Sequence, residues 1–444
     1  MPSDHPNRKP AGRRHLRSAA VSIALGAVLF TAGALGLSPQ GEATSKSPAV
    51  QGASAHGGSV DALQQRVRHV PADPQAWSAL GMAYVQQARQ NADPALYAKA
   101  ESALRRSLKV RPSGNDHAET AMGALAAGRH DFTAALAWSR KATTTNPYSS
   151  SAHGVLADAY TQLGRYEQAF DSVQRMIDLR PDSTSLARAS YMWELRGERS
   201  RARALMARSL RAASSPAEQA FAHAHLSLLA LDRGDARTAL REARSGLRAA
   251  PHDSALLEAR ARAHAALGDT GRAVRDYRQA IAIAPLPHYL LGLGELQQSL
   301  GRREQAREQY DVLRAQDRVR QATGAAPDTD AILFEADHGN PRTAVALGRQ
   351  AVTTRPFLAV HDAYAWALHQ AGRDDQALVE ANRALALHTQ SALFHFHRGI
   401  IHQALGHTTK ARQDLGRALA IDGRFHPLHA PQARTALRRI DGTR

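Results

Sequence analysis

From residue 164 onward, a glycine followed five residues later by an alanine recurs eight times: Gly164/Ala169, Gly197/Ala202, Gly234/Ala239, Gly268/Ala273, Gly301/Ala306, Gly339/Ala344, Gly372/Ala377 and Gly406/Ala411. The glycine-to-glycine spacings are 33, 37, 34, 33, 38, 33 and 34 residues, so the pattern is close to periodic. In four of these units a proline stands seventeen residues after the glycine, at Pro181, Pro251, Pro285 and Pro356. Two earlier stretches keep the second half of the pattern, with Ala100 before Pro112 and Ala135 before Pro147. A period of this length is the mark of one supersecondary unit copied along the chain.

Each unit reads as an apolar-periodic stretch, a glycine break, a second such stretch, and often a proline. Glycine takes the left-handed geometry that stops the first helix. Alanine on the second helix has little bulk, so the two helices approach closely. Proline cannot continue a helix interior and marks the handover to the next unit. Composition agrees: 43% of residues are hydrophobic but only 5% aromatic, with alanine and leucine dominant, which favours helices over β-sandwiches. A lone helical hairpin exposes an apolar face, so each unit must stack on its neighbours.

The units resemble the tetratricopeptide repeat. Residues 74–112 carry Trp77, Leu80, Gly81 and Tyr84, then Tyr97, Ala100, Leu104 and Pro112, with an insertion at QQARQNAD. Residues 150–183 match without insertion, through Leu156, Tyr160, Gly164, Tyr166, Ala169 and Pro181, and residues 254–287 give Gly268, Ala273, Tyr277, Ala280 and Pro285. The resemblance implies an all-α, right-handed α-solenoid of about ten helix-turn-helix units across residues 61–422. Residues 61–70 read as an N-terminal capping helix. SSP at 214–216 ends one unit late, and residues 316–330 stretch a connection into a possible hinge. Residues 423–444 read as a C-terminal capping segment, with Pro431 opening a short terminal helix.

The resemblance also implies a concave groove lined by first-helix positions that holds an extended or helical peptide. Those positions here are Met82, Gln86, Asp158, Gln162, Tyr191, Glu194, Phe221, Leu228, Glu295, Gln298, Asp362, Trp366, His369, Phe396 and Ile400. The candidate partner-binding residues are Tyr191, Phe221, Leu228, Trp366, His369, Phe396 and Ile400. Trp366 and Phe396 fit two roles, as aromatic anchors for a bound segment or as residues of the seam between units. The Lys/Asn/Arg arrangement with which chaperone-docking relatives clamp a C-terminal carboxylate is absent.

Ahead of the array, residues 1–17 form a basic flank with Arg8, Lys9, Arg13, Arg14 and Arg17. No charge follows until Glu42, so residues 18–38 suit either a membrane anchor or a signal peptide. Both Ala32-Gly33-Ala34 and Gly41-Glu42-Ala43 are passable cleavage sites. Residues 39–60, rich in Ser, Gly, Ala and Pro, read as a flexible linker. The positive flank should stay in the cytoplasm, placing the array on the extracytoplasmic side, at the cell membrane or secreted. That location argues against nucleic acid as a partner.

The stretch FHFHRGIIHQALGH at 394–407 raises the question of a metal site. In register, His395 and His402 occupy the tryptophan and tyrosine positions of the last repeat and point into the packing seam. His397 lies about 200° around the helix from His395 and is expected to face away, while His407 sits in the turn. His153, His223 and His361 hold the tryptophan position of other units, so histidine here reads as structural. His361, His395 and His402 remain a candidate approach across two stacked helices.

There is no cysteine, and no GxxxxGK[ST], GxSxG, HExxH or EF-hand loop. Asp374, Asp375 and Glu380 read as surface charges, and the arginines of RARALMARSLR (201–211) as the outer side of a second helix or an anionic docking patch. No catalysis and no cofactor are expected. The leading reading is a non-catalytic extracytoplasmic scaffold binding partner segments in its groove. The alternative is a histidine-rich metal-handling accessory to a transporter. The net charge of +17, carried mostly by arginine, adds weak attachment to anionic envelope polymers as a third possibility.

Overall fold

The computed structural model describes residues 59–90, 93–322 and 326–442. Among these residues the chain forms 22 helices and no strand. Helix α1 (Val60–His69) precedes ten hairpins. Units 1 to 3 pair α2 (Pro74–Gln90) with α3 (Leu96–Val110), α4 (Asp116–Gly128) with α5 (Phe132–Thr145), and α6 (Ser150–Gln162) with α7 (Tyr166–Leu179). Units 4 to 6 pair α8 (Ser183–Leu195) with α9 (Arg199–Ala212), α10 (Pro216–Leu231) with α11 (Ala236–Ala249), and α12 (Ser254–Ala266) with α13 (Thr270–Ile283). Units 7 and 8 pair α14 (Pro287–Ser299) with α15 (Arg303–Ala322), and α16 (Thr329–His338) with α17 (Pro341–Thr354). Units 9 and 10 pair α18 (Leu358–Gln370) with α19 (Asp374–Ala384), and α20 (Ala392–Ala404) with α21 (Thr408–Ile421). Helix α22 (His429–Gly442) closes the array. This is the all-α solenoid that the period predicts.

In seven of the ten hairpins the turn follows from a glycine in the left-handed region; Gly339 of unit 8, at φ −129°, is not one of them. Gly164 has φ +67°, its N–H donates to the Thr161 carbonyl at 3.1 Å, and the Arg165 N–H donates to the Tyr160 carbonyl at 2.8 Å. These two bonds satisfy carbonyls that the helix end would otherwise leave bare. In unit 2 the left-handed position falls to His130, at φ +62°, which is why that unit escapes the glycine period. In eight of the ten hairpins a small residue seven positions before the turn lets the helices cross: Gly123, Ala157, Ser190, Ser227, Ala261, Gly294, Ala365 and Gly399. At two of these crossings a buried serine hydroxyl donates to the facing alanine carbonyl, Ser190 to Ala202 at 2.7 Å and Ser227 to Ala239 at 2.9 Å. The stretched connection at 316–330 is partly helical, because α15 runs on to Ala322.

The array winds until its later units meet its earlier ones. A Cβ on Gly164, in the turn of unit 3, would lie 2.7 Å from the Pro356 carbonyl oxygen between units 8 and 9. Beside it, the Leu358 N–H donates to the Tyr166 hydroxyl at 3.0 Å across 192 residues of sequence. One unit further, Arg199 donates to the Gln390 carbonyl and Thr389 to the Leu195 carbonyl, each at 2.5 Å. The Gly234 turn of unit 5 faces Asp422, and Arg424 reaches the Ala266 carbonyl of unit 6. Apolar side chains from residues 126–195 and 332–440 accordingly form one continuous core. Among the described residues no helix is long and apolar enough to cross a membrane; residues 18–38 lie outside them.

Candidate functional site

The first helices of the hairpins line the inner side of this winding. Four of the predicted partner-binding residues come together on units 9 and 10. The rings of Trp366 and Phe396 lie 5.7 Å apart, and the two side chains are 3% and 0% exposed. Trp366 Nε1–H donates to Asp337 Oδ1 at 2.8 Å, and the indole stacks on His397 at 4.3 Å. His369 lies 5.1 Å from the indole and bonds Asp374 Oδ1 through Nδ1 at 2.5 Å. Ile400 is half-buried at the edge of the same core, and Tyr191, on unit 4, is buried in it. Burial raises the Tyr191 phenol well above its ordinary pKa, and the nearby Glu194 carboxylate adds to the shift. Phe221 and Leu228 stand apart, half-buried on unit 5. The Trp366 and Phe396 rings are both buried, against each other between units 9 and 10 and against Phe425 and His429 of the terminal segment.

The inner face of units 7 to 10 is covered by the chain itself. Between α21 and α22, residues 422–428 form no regular structure. Phe425 packs on Phe396 at 5.7 Å, and His429, at the start of α22, stacks on Phe396 at 4.8 Å. His426 Nε2 lies 2.9 Å from Glu295 Oε2, while His338 Nε2 lies 3.2 Å from the other Glu295 oxygen. His429 Nε2 is 3.6 Å from Asp337 Oδ1, and its ring stacks on that of His426 at 4.2 Å. Sequence reasoning placed Glu295, Asp362, Trp366 and Phe396 on the concave face but missed the histidines that meet them. The available signal was a histidine pair, His426 and His429, in a chain whose concave positions carry acids.

The electrostatics of this junction are set by competing terms. Burial by itself would raise the Glu295 carboxyl, but the charge of His426 and hydrogen bonds from His338 and His426 hold it well below the carboxylate range. Burial likewise disfavours charge on His426, and Glu295 more than reverses this, raising its pKa. His429 has no comparable compensation: burial brings it down to about 4 despite the Asp337 contact. The pair therefore meets the acidic face with charge favoured on His426 and disfavoured on His429.

The other histidines are taken up within the packing. His395 Nδ1 lies 2.9 Å from Asp414 Oδ1, and Arg398 clamps the same carboxylate with bonds of 2.7 and 2.8 Å. The same nineteen-residue spacing recurs in His223 with Glu242 at 2.9 Å and His361 with Glu380 at 2.6 Å. Two expectations change. His397 does not face away: it is fully buried, with Nδ1 2.9 Å from Asp362, because the first helix of unit 9 occupies the side opposite His395. Glu380 is 8% exposed rather than solvated, held by His361 and Arg383. The arginines 201, 203, 208 and 211 do lie on the exposed side of α9. Among the described residues no group of three or more His, Cys, Asp or Glu side chains is arranged to hold a metal ion.

Beneath Phe221, His225 is 5% exposed, with its ring centroid 4.0 Å from that of Phe221 and Nδ1 3.1 Å from the Phe221 carbonyl oxygen. Burial brings its pKa down to about 4. An unfolded histidine protonates near pH ~6.5, so the stability this site contributes is whole above that pH and is lost as pH falls toward 4, by about 1.4 kcal/mol per unit. His225→Phe is therefore expected to gain about 2 kcal/mol on the native protein between pH 8 and pH 5. Urea midpoints at the two pH values measure it, and a difference independent of pH would contradict a neutral buried imidazole.

Comparison with known proteins agrees with this architecture. The family model for the tetratricopeptide repeat matches residues 150–183 and 255–285, which are units 3 and 6. No curated protein sequence matches the chain. Among solved structures, a thermophilic TPR protein of Thermus thermophilus is 23% identical, with a TM-score of 0.38, covering 44% of this chain and 99% of that one. PilW, a type IV pilus biogenesis factor, is 18% identical with a TM-score of 0.39, covering 45% and 92%. Human IFIT1, as a dimer with m7Gppp-AAAA, is 13% identical with a TM-score of 0.47, covering 81% and 85%. These likenesses are of fold. The chain is a helical-repeat solenoid in which the tetratricopeptide-repeat model matches units 3 and 6.

Proposed function

We propose that this chain is a non-catalytic interaction scaffold that works outside the cytoplasmic membrane, anchored by residues 18–38 or released after their cleavage, and that it holds segments of partner proteins on its inner face. The observation that supports this most is that the inner face of units 7 to 10 holds irregular polypeptide, residues 422–428, through side-chain contacts. A surface that grips one such stretch has the chemistry to grip another: aromatic shelves beside buried carboxylates. Phe221, Leu228, His369 and Ile400 keep partial solvent contact and are the positions a partner meets first. Trp366 and Phe396 become reachable only when the terminal segment leaves.

The test is in-cell photo-crosslinking of the full-length chain with the reactive residue at Phe221, Leu228, His369 or Ile400, followed by mass spectrometry. Crosslinks to one or two defined extracytoplasmic proteins are the expected result. Crosslinks confined to control positions at Arg201 and Arg208, on the outer side, would contradict inner-face binding.

A further inference from the structure

We infer that the inner face of units 7 to 10 is a peptide-docking site whose resident occupant is the chain's own segment 422–429, and that the partner segment it accepts in exchange carries an aromatic residue followed directly by a cationic side chain. The inference rests on the scaffold reading and names the partner chemistry of that surface.

Three features of the junction point this way. The contacts are made by side chains that project from an irregular stretch, so another extended segment with the same side chains can make them. The receiving surface is acidic in a chain of net charge +17: Glu295, Asp337 and Asp362 all face the occupant or the rings that touch it. A cation is the complement of such a surface, and an aromatic ring is the complement of Phe396 beside it.

The third feature is that the resident segment is an incomplete fit. Nδ1 of His429, Nε2 of His397 and Oδ1 of Asp362 are buried without a hydrogen-bond partner. Native interiors seldom leave such atoms bare, so the junction with its resident segment is not fully satisfied. Phe425 and His426 themselves are only half-buried. An arginine in the place of His426 would present a forked pair of N–H donors to Glu295 where the imidazole offers one. The resident segment keeps its place because it is tethered, which gives it a high local concentration.

The probe is a fluorescent synthetic peptide, IDGRFHPLHAP, matching residues 421–431, together with a second peptide in which arginine replaces the histidine after phenylalanine. Both are titrated by anisotropy into the full-length chain and into a full-length F425A/H426A variant. The opened variant is expected to bind the peptides at least tenfold more tightly than the native chain, with the arginine peptide the tighter of the two. Glu295→Gln in the opened variant should remove the arginine preference. No binding to an opened variant that still melts cooperatively would overturn the inference. Should that variant fail to fold, hydrogen exchange on the native chain decides: saturating arginine peptide should speed exchange of amides 422–428, and no change there would overturn it. A crosslinked partner without peptide binding would overturn this inference and leave the scaffold reading standing. Peptide binding with no crosslinked partner in cells would support the docking site and count against the scaffold reading.

Discussion

Phe396→Ala is expected to destabilise the protein by about 3–5 kcal/mol, the range for emptying a fully buried aromatic site. The ring is 0% exposed and is enclosed by Trp366, Phe425, His397 and His429, which belong to units 9 and 10 and the terminal segment. Trp366, His397 and His429 are each held by further ring or polar contacts that moving into the space would break. Because the ring belongs to the core shared by residues 126–195 and 332–440, the loss should appear as a lower unfolding midpoint of that whole block. Urea unfolding followed by circular dichroism measures it. Unchanged stability with weakened partner binding would instead mark Phe396 as an open-groove anchor.

The second large effect concerns the contact between early and late units. Gly164 and Gly301 share the left-handed backbone, at φ +67° and +74°, but their surroundings differ. A Cβ at Gly301 would meet nothing within 4 Å, whereas at Gly164 it would press on the Pro356 carbonyl oxygen at 2.7 Å. Gly301→Ala should therefore cost only the left-handed strain, about 1–2 kcal/mol. Gly164→Ala adds displacement of a backbone atom held 192 residues away in sequence by the Tyr166–Leu358 bond, for a total of about 2–5 kcal/mol. Equal costs at the two glycines, from parallel urea titrations, would mean the contact contributes nothing.

The hairpins were legible in the sequence because they are local. A glycine, an alanine five residues later and a proline twelve after that specify a turn, a close crossing and an exit, and none depends on distant chain. His395 was legible for the same reason: its register places it in the seam, where it meets Asp414 on the second helix of its own hairpin. His397 shows the limit. Its angle around the helix was right, but that angle points at Asp362 on the preceding unit. Glu380 was misread although its partner His361 lies on the first helix of its own hairpin, in the nineteen-residue pairing that His395 makes with Asp414.

What could not be read was the curl. Each unit turns slightly against the next, and whether unit 3 meets unit 9 depends on the sum of those small rotations. No residue announces the sum. Glu295 was therefore expected on the concave face while its covering by His426 was not.

The chain contains no cysteine, so two introduced ones carry the labels alone. The most direct test of the curled array is the distance between spin labels at Arg165, beside the unit 3 turn, and Thr353, at the end of unit 8, both exposed and near the Gly164–Pro356 contact. Pulsed electron resonance on the full-length protein is expected to give one short, narrow distance distribution. A long or broad one would show that early and late units stand apart, and would contradict the curled array.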